Sequence, residues 1–94
     1  MLIQQKEVRG KGKFYVVQEG RELAEMAYTM PSPDKMIIEH TEVNDELRGR
    51  NVGAQMVKQA VEYARSNNIK IIPLCPFAKS VFDRVPDIQD VLFQ

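Results

Sequence analysis

Arg48-Gly49-Arg50-Asn51-Val52-Gly53-Ala54 is the stretch that decides how this chain reads. It follows an extended apolar run, Met36 to Val43, and leads into a strongly periodic segment. Counted from Gly53, small or apolar residues recur at Met56, Val57, Ala60, Val61 and Ala64, one stripe of an amphipathic helix. Gln55, Lys58, Gln59, Glu62 and Arg65 take the other face. The order is therefore strand, glycine-bearing basic turn, helix.

Such a junction suits phosphate. The first N–H groups of a helix have no partner within it, and the helix dipole is positive there. Gly49, Gly53 and Ala54 would let an anion approach the backbone, while Arg48 and Arg50 add charge. A plainer reading stands beside it: Gly49 ends a turn, Gly53 permits close helix packing and the arginines are solvated.

Before this stretch the sequence reads as strands. Leu2 to Val8 is a candidate edge strand, and Phe14 to Glu19 is rich in aromatic and β-branched residues. Gly20-Arg21 suits a type II′ hairpin turn, from which Glu22 to Met30 returns. Ala24, Met26, Tyr28 and Met30 then form an apolar face, against Leu23, Glu25, Ala27 and Thr29. Glu-Leu-Ala-Glu-Met-Ala is also a good helix former, but the turn before it and its short span favour a strand. Pro31 to Lys35 turns the chain into the Met36–Val43 strand. Arg9-Gly10-Lys11-Gly12-Lys13 reads as a flexible turn; it lacks the spacing of a P-loop.

After the stretch, the helix runs from about Arg50 to Ser66, and Asn67-Asn68 suits a left-handed stop. Ile69 to Cys75 is again a strand. Reached through a crossover helix, it should lie parallel to Met36–Val43. Pro73 inside it has no N–H, so a fully paired central strand is not expected there. Pro76 suits the first turn of a helix from about Phe77 to Val85, striped by Ala78, Val81, Phe82 and Val85. Pro86 stops that helix. Ile88, Val91 and Leu92 then fit a short final helix or a docked tail.

Composition narrows the function. The chain has 94 residues, enough for one modest core, with a formal net charge of zero. Zero charge gives no overall electrostatic case for nucleic acid or an anionic membrane. One cysteine, Cys75, forms no internal disulfide, and no apolar run is long enough for a leader or a membrane span. A cytoplasmic protein without a metal site, monomeric or weakly dimeric, is the expectation.

Arg48 to Ala54 resembles the acetyl-CoA pyrophosphate loop of the GCN5-related N-acetyltransferases (GNAT), whose pattern is Gln/Arg-x-x-Gly-x-Gly/Ala. Arg48 stands at its first position and Gly53 at its last; Asn51 replaces the first glycine, and asparagine tolerates a left-handed backbone. His40-Thr41-Glu42-Val43, this loop and Cys75-Pro76 together resemble a subfamily of very small GNAT-like proteins with a cleft cysteine. The resemblance implies an α+β, three-layer fold: a mainly antiparallel mixed sheet with a splayed parallel strand pair and a long crossover helix. It implies one acetyl-CoA-binding domain over residues 1–94. Coenzyme A would be held by Thr41, Glu42, Val43, Arg48, Gly49, Arg50, Asn51, Val52, Gly53 and Ala54, with its pantetheine arm in the wedge between the splayed strands.

Acyl transfer to an amine also needs a group to take the proton. The resemblance points to Glu39 or His40 for that, and to Cys75 as a thiol able to accept the acetyl group. By alternation Glu39 and His40 face opposite ways unless a bulge intervenes. A structural, hydrogen-bonded histidine and a small buried cysteine are the competing readings. Two departures from the family stand out. The last helix has Phe77 and Phe82 but no tyrosine to protonate the leaving thiolate, and the chain has no room for the two N-terminal helices that shape the acceptor site. A non-catalytic CoA-binding module is therefore the second reading, beside an acetyltransferase acting on an unidentified amine.

Overall fold

Two X-Gly turns close the first two hairpins. In the computed structural model, which describes residues 1–94, Arg9-Gly10 joins β1 (Gln4–Val8) to β2 (Lys11–Gln18), and Glu19-Gly20 joins β2 to β3 (Arg21–Ser32). These four residues have φ of 53°, 78°, 52° and 77°. Paired positive φ is the type I′ conformation, whose twist matches that of the flanking strands. The expected turn at Gly20-Arg21 is thus shifted back by one residue, because glycine takes the second central position. Only Arg9-Gly10 of the expected flexible turn is a turn. Lys11, Gly12 and Lys13 pair on both sides within β2, and Gly12 lies over the Tyr28 ring, where a Cβ would come within 2.5 Å.

The third hairpin turns at Pro33-Asp34 into β4 (Lys35–Val43), where the Ser32 hydroxyl donates to Asp34 at 2.6 Å. A crossover then leads through α1 (Val52–Asn67) to β5 (Lys70–Pro73). The five strands lie in the order β1-β2-β3-β4-β5, the last pair parallel and the others antiparallel. α1 stops at Asn68 (φ 55°), where the Ile69 N–H reaches back to the Ala64 carbonyl at 2.9 Å. The last helix is α2 (Pro76–Arg84), followed by a 3₁₀ segment, Pro86–Val91.

The stripe read from the sequence is the buried one. Gly53, Met56, Val57, Ala60, Val61 and Ala64 of α1 are buried, and so are Ala78, Val81 and Phe82 of α2. All of these but Gly53 join Phe14, Val16, Met26, Tyr28, Met36, Ile38 and Ile71 of the sheet in one cluster. Fully burying each Phe, Met, Ile or Val contributes about 1.5–3 kcal/mol relative to exposure. Both helices therefore pack on a single face. The other face carries half-buried Lys13, Tyr15, Glu25, Ala27 and Ile37 with no helix over it.

Bulges break the alternation twice where it matters. Val16 pairs with Ala24 but Val17 with Glu22, so Leu23 is an extra residue on β3. Leu23 and Ala24 are then both buried, at 4% and 3% exposure, whereas simple alternation puts Leu23 outside. Ala27 pairs with His40 but Tyr28 with Ile38, so Glu39 is an extra residue on β4. The tail is docked: the Phe93 N–H donates to the Ile71 carbonyl at 2.9 Å, and Arg65 holds Asp90 at 2.6 Å. No helix is long and apolar enough to cross a membrane.

Candidate functional site

β4 and β5 pair from Lys35/Lys70 to Ile38/Pro73 and no further. Pro73 has no N–H with which to extend the ladder. The next two N–H groups, of Leu74 and Cys75, both donate to the Ile38 carbonyl, at 3.0 and 3.1 Å. These two hydrogen bonds to one carbonyl turn the chain off the sheet, and β5 ends two residues before the expected Cys75. β4 continues alone to Val43, so a gap opens beside Glu39–Val43. The Asn44 N–H donates to the Leu23 carbonyl at 2.7 Å. Backbone direction alternates along a strand, so Thr41 and Val43 turn their N–H and C=O towards the gap.

The start of α1 faces the same gap. Asn44 caps a 3₁₀ turn, Asp45–Leu47, by accepting from the Glu46 N–H at 2.8 Å, and buried Leu47 anchors it. Gly49 (φ 82°) and Asn51 (φ 59°) then bend the chain into the helix through left-handed backbone. The first intrahelical bonds begin further on, with the Gln55 N–H on the Asn51 carbonyl at 3.1 Å. The N–H groups of Val52, Gly53 and Ala54 have no acceptor in the protein. Thr41, Val43, Asn51, Gly53, Ala54 and Phe77 line one hollow here. A second, against the Asp45–Leu47 turn, shares Val43 and Asn51 with it and also touches Arg48, Gly49 and Val52.

Gly53 combines both sequence readings in one residue. A Cβ there would come within 2.6 and 2.7 Å of the Phe77 ring, so its bare Cα makes room for close packing while its N–H stays unpaired. Arg48 donates to Asp45 at 2.8 Å on an exposed surface. The Arg50 carbonyl accepts from the Gln55 amide at 2.9 Å. Phe77, noted in the sequence only as the absence of a tyrosine, is a wall of the hollow; nothing local marks it, because its partner is 24 residues away in the chain.

Cys75 is buried at 5% exposure, and its thiol donates to the Thr41 hydroxyl at 3.5 Å. Burial pushes its pKa up. The Thr41 hydroxyl, which turns to donate when the sulfur is ionised, and the N–H groups of Ala78, Phe77 and Thr41 favour the thiolate and outweigh burial, leaving the pKa below its ordinary value. The first turn of α2 thus acts on this thiol, whereas His40 does not.

His40 is held elsewhere. Its Nε2 lies 3.1 Å from Oε2 of Glu25 on β3, on the far side of β4 from β5. Glu25 Oε1 also accepts from Lys13 at 3.2 Å, and Lys13 in turn bonds Glu22. The Glu25 pKa is lowered, chiefly by the His40 hydrogen bond. Glu39, at the bulge, is exposed and makes no hydrogen bond through its side chain, and Glu42 is exposed opposite Glu25 in the register. Glu22, Glu25 and Glu42 line a further hollow with Leu23, Ala24, Val43 and Asn44. Alternation sets Glu25 opposite the apolar face of its strand, but its pairing with His40 depends on the register between β3 and β4, which no local stretch of sequence carries.

Comparison with known proteins bears on this arrangement. A family model described as GCN5-related N-acetyl-transferase matches residues 13–91. No curated protein matches the sequence. A GCN5-like protein from Staphylococcus aureus, solved by NMR, has a TM-score of 0.73 and 40% identity, covering 96% of this chain and 87% of its own. The ribosomal-protein-alanine N-acetyltransferase of Brucella melitensis matches with a TM-score of 0.68 at 12% identity, over 83% of this chain and 62% of its own. A protein from Clostridium acetobutylicum, described as a predicted acetyltransferase and crystallised with acetyl-CoA, matches at 0.63 with 17% identity, over 80% and 56%. The last two share the fold, and this chain spans less than two thirds of their lengths.

Proposed function

Because the chain belongs to the GCN5-related N-acetyltransferase family, we propose that it is an acetyl-CoA-dependent N-acetyltransferase, one acetyl-CoA-binding domain with Cys75, His40 and Glu39 at its reacting end. The observation that carries this reading is the gap beyond Ile38/Pro73, bordered by the unpaired N–H groups of Val52, Gly53 and Ala54. Those groups suit a diphosphate, with Arg48, Gly49, Arg50 and Asn51 beside it. The free backbone of Thr41 and Val43 suits an amide-bearing arm laid along β4, with Glu42 between them.

Cys75 lies where that arm would bring its thioester. A thiol with a lowered pKa is a competent nucleophile, and Thr41 with the first turn of α2 would stabilise it as thiolate. Glu39 and His40 sit next along β4 as the groups that would take the proton from an acceptor amine.

Calorimetry with acetyl-CoA and with adenosine tests the binding half. Heat from the first and little from the second is expected; no affinity for acetyl-CoA at physiological concentration sinks the reading. Labelled acetyl-CoA tests the transfer half, with label on Cys75 that is lost in Cys75→Ser.

A non-catalytic CoA-binding module is the second reading. The specific observation in its favour is Phe77, on the helix where related enzymes carry an acidic tyrosine, packed against Gly53 with no hydroxyl to offer. Tight binding of acetyl-CoA with no label transferred to Cys75 or to any amine supports it.

A further inference from the structure

Glu25 alone grips His40. The bulge at Glu39 breaks the alternation just before His40. The residue opposite is Ala27, too small to fill the face, which leaves the imidazole open to its neighbour along β3. There Glu25 is held from both sides: Oε1 accepts from Lys13 at 3.2 Å and Oε2 meets His40 Nε2 at 3.1 Å. Its side chain is only 26% exposed, against 53% for His40. The other charges on this face include Glu22, behind Lys13, Glu39 and Glu42 on the same strand as His40, and Lys6 and Lys11, which line a hollow with Lys13 and Ala27.

We propose that Glu25 is the positioning residue of His40: it fixes the neutral ring with its proton on Nε2, which leaves Nδ1 as the nitrogen that accepts a proton from the acceptor amine. An ionised carboxylate only accepts hydrogen bonds, so the nitrogen facing it must be the donor. Glu25 is held in that ionised form, since its pKa is lowered. The inference rests on the transferase reading above. In the step concerned, the amine nitrogen forms a bond to the thioester carbonyl carbon and the C–S bond breaks with its electron pair on sulfur. The amine proton passes to Nδ1, the resulting imidazolium is supported by Glu25 through Nε2–H, and the thiolate takes a proton from water.

His40 is the sole histidine, so its ring can be observed without assignment ambiguity. Long-range ¹H–¹⁵N correlation at a pH where the ring is neutral should show the proton on Nε2. Glu25→Ala should give a mixture of the two ring forms and lower kcat for amine acetylation about tenfold, leaving KM for acetyl-CoA unchanged. The isosteric Glu25→Gln, which can offer Nε2 an oxygen or an N–H, should do the same if the alanine variant is poorly folded. A wild-type ring protonated on Nδ1, or glutamine and alanine variants with unchanged kcat, overturns the role of Glu25. A wild type that acetylates no amine while keeping the Nε2–H ring overturns the transferase reading instead, and the role with it.

Discussion

The Cys75 thiol points at the Thr41 hydroxyl, 3.5 Å away across the place where β4 and β5 part. The hydroxyl and nearby N–H groups outweigh burial and hold the thiol pKa below its ordinary value. A lowered pKa means more thiolate at a given pH, so removing the hydroxyl should move the midpoint of reactivity upward. Thr41→Val is expected to slow alkylation of Cys75 by a small reagent roughly fivefold near neutral pH, as for a lost hydrogen bond of about 1 kcal/mol. Alkylation rates across pH check this; a midpoint that stays or falls counts against it.

Gly53→Ala should separate stability from binding. The added methyl would meet the Phe77 ring at 2.6 Å, but that ring is 39% exposed and can swing outward. Alanine also favours the helix by about 1 kcal/mol over glycine. Unfolding in urea should therefore shift by less than about 1 kcal/mol. Affinity for acetyl-CoA should fall on the order of tenfold, since the displaced ring reshapes the hollow. A Gly53→Ala/Phe77→Ala double variant should recover part of that loss, as coupling between touching residues requires.

Asn51 enters α1 at φ 59°. Left-handed backbone costs most side chains about 1–2 kcal/mol, and asparagine and glycine tolerate it. Asn51→Gly should leave stability close to wild type, while Asn51→Val should lose about 1–2 kcal/mol. Equal denaturation midpoints for the two variants would show that the loop can rearrange.

Gly12→Ala is expected to be the more damaging alanine substitution. Its Cβ would fall 2.5 Å from the Tyr28 ring, 2.6 Å from the Tyr28 hydroxyl and 2.7 Å from the Lys6 carbonyl. Tyr28 is fully buried and its hydroxyl bonds Gln5 and Glu7, so the ring has nowhere to go, and the carbonyl belongs to the paired strand. A loss of about 1–3 kcal/mol follows from overpacking, read as a lower midpoint in urea.

Glu25 predicts the acid side of the stability curve. Its folded pKa is lowered, so its contribution is present above the ordinary carboxylate pKa and is lost as pH falls through the folded value. Glu25→Gln should cost about 0.5 kcal/mol at neutral pH, the scale of a partly exposed pair. The difference should shrink towards zero on acidification. Parallel urea titrations at neutral and acid pH measure it; a gap that widens on acidification contradicts the sign.

Much of this molecule was legible one residue at a time. The helical stripe from Gly53 to Ala64, the antiparallel meander and the parallel return strand follow from side-chain period and turn chemistry, which act over a few residues. Pro73 announced the parting of β4 and β5 because a missing N–H is a covalent fact. Asn51 and Asn68 likewise carried their left-handed backbone in their own side chains. The tertiary structure decided what depends on two distant segments meeting. One extra residue at Glu39 sets which way His40 turns, and only the register with β3 brings Glu25 to it. The ring of Phe77 against Gly53, and the thiol of Cys75 against Thr41, arise because separate elements share one core. Such meetings are chosen by packing over the whole chain, and no window of neighbouring residues contains them.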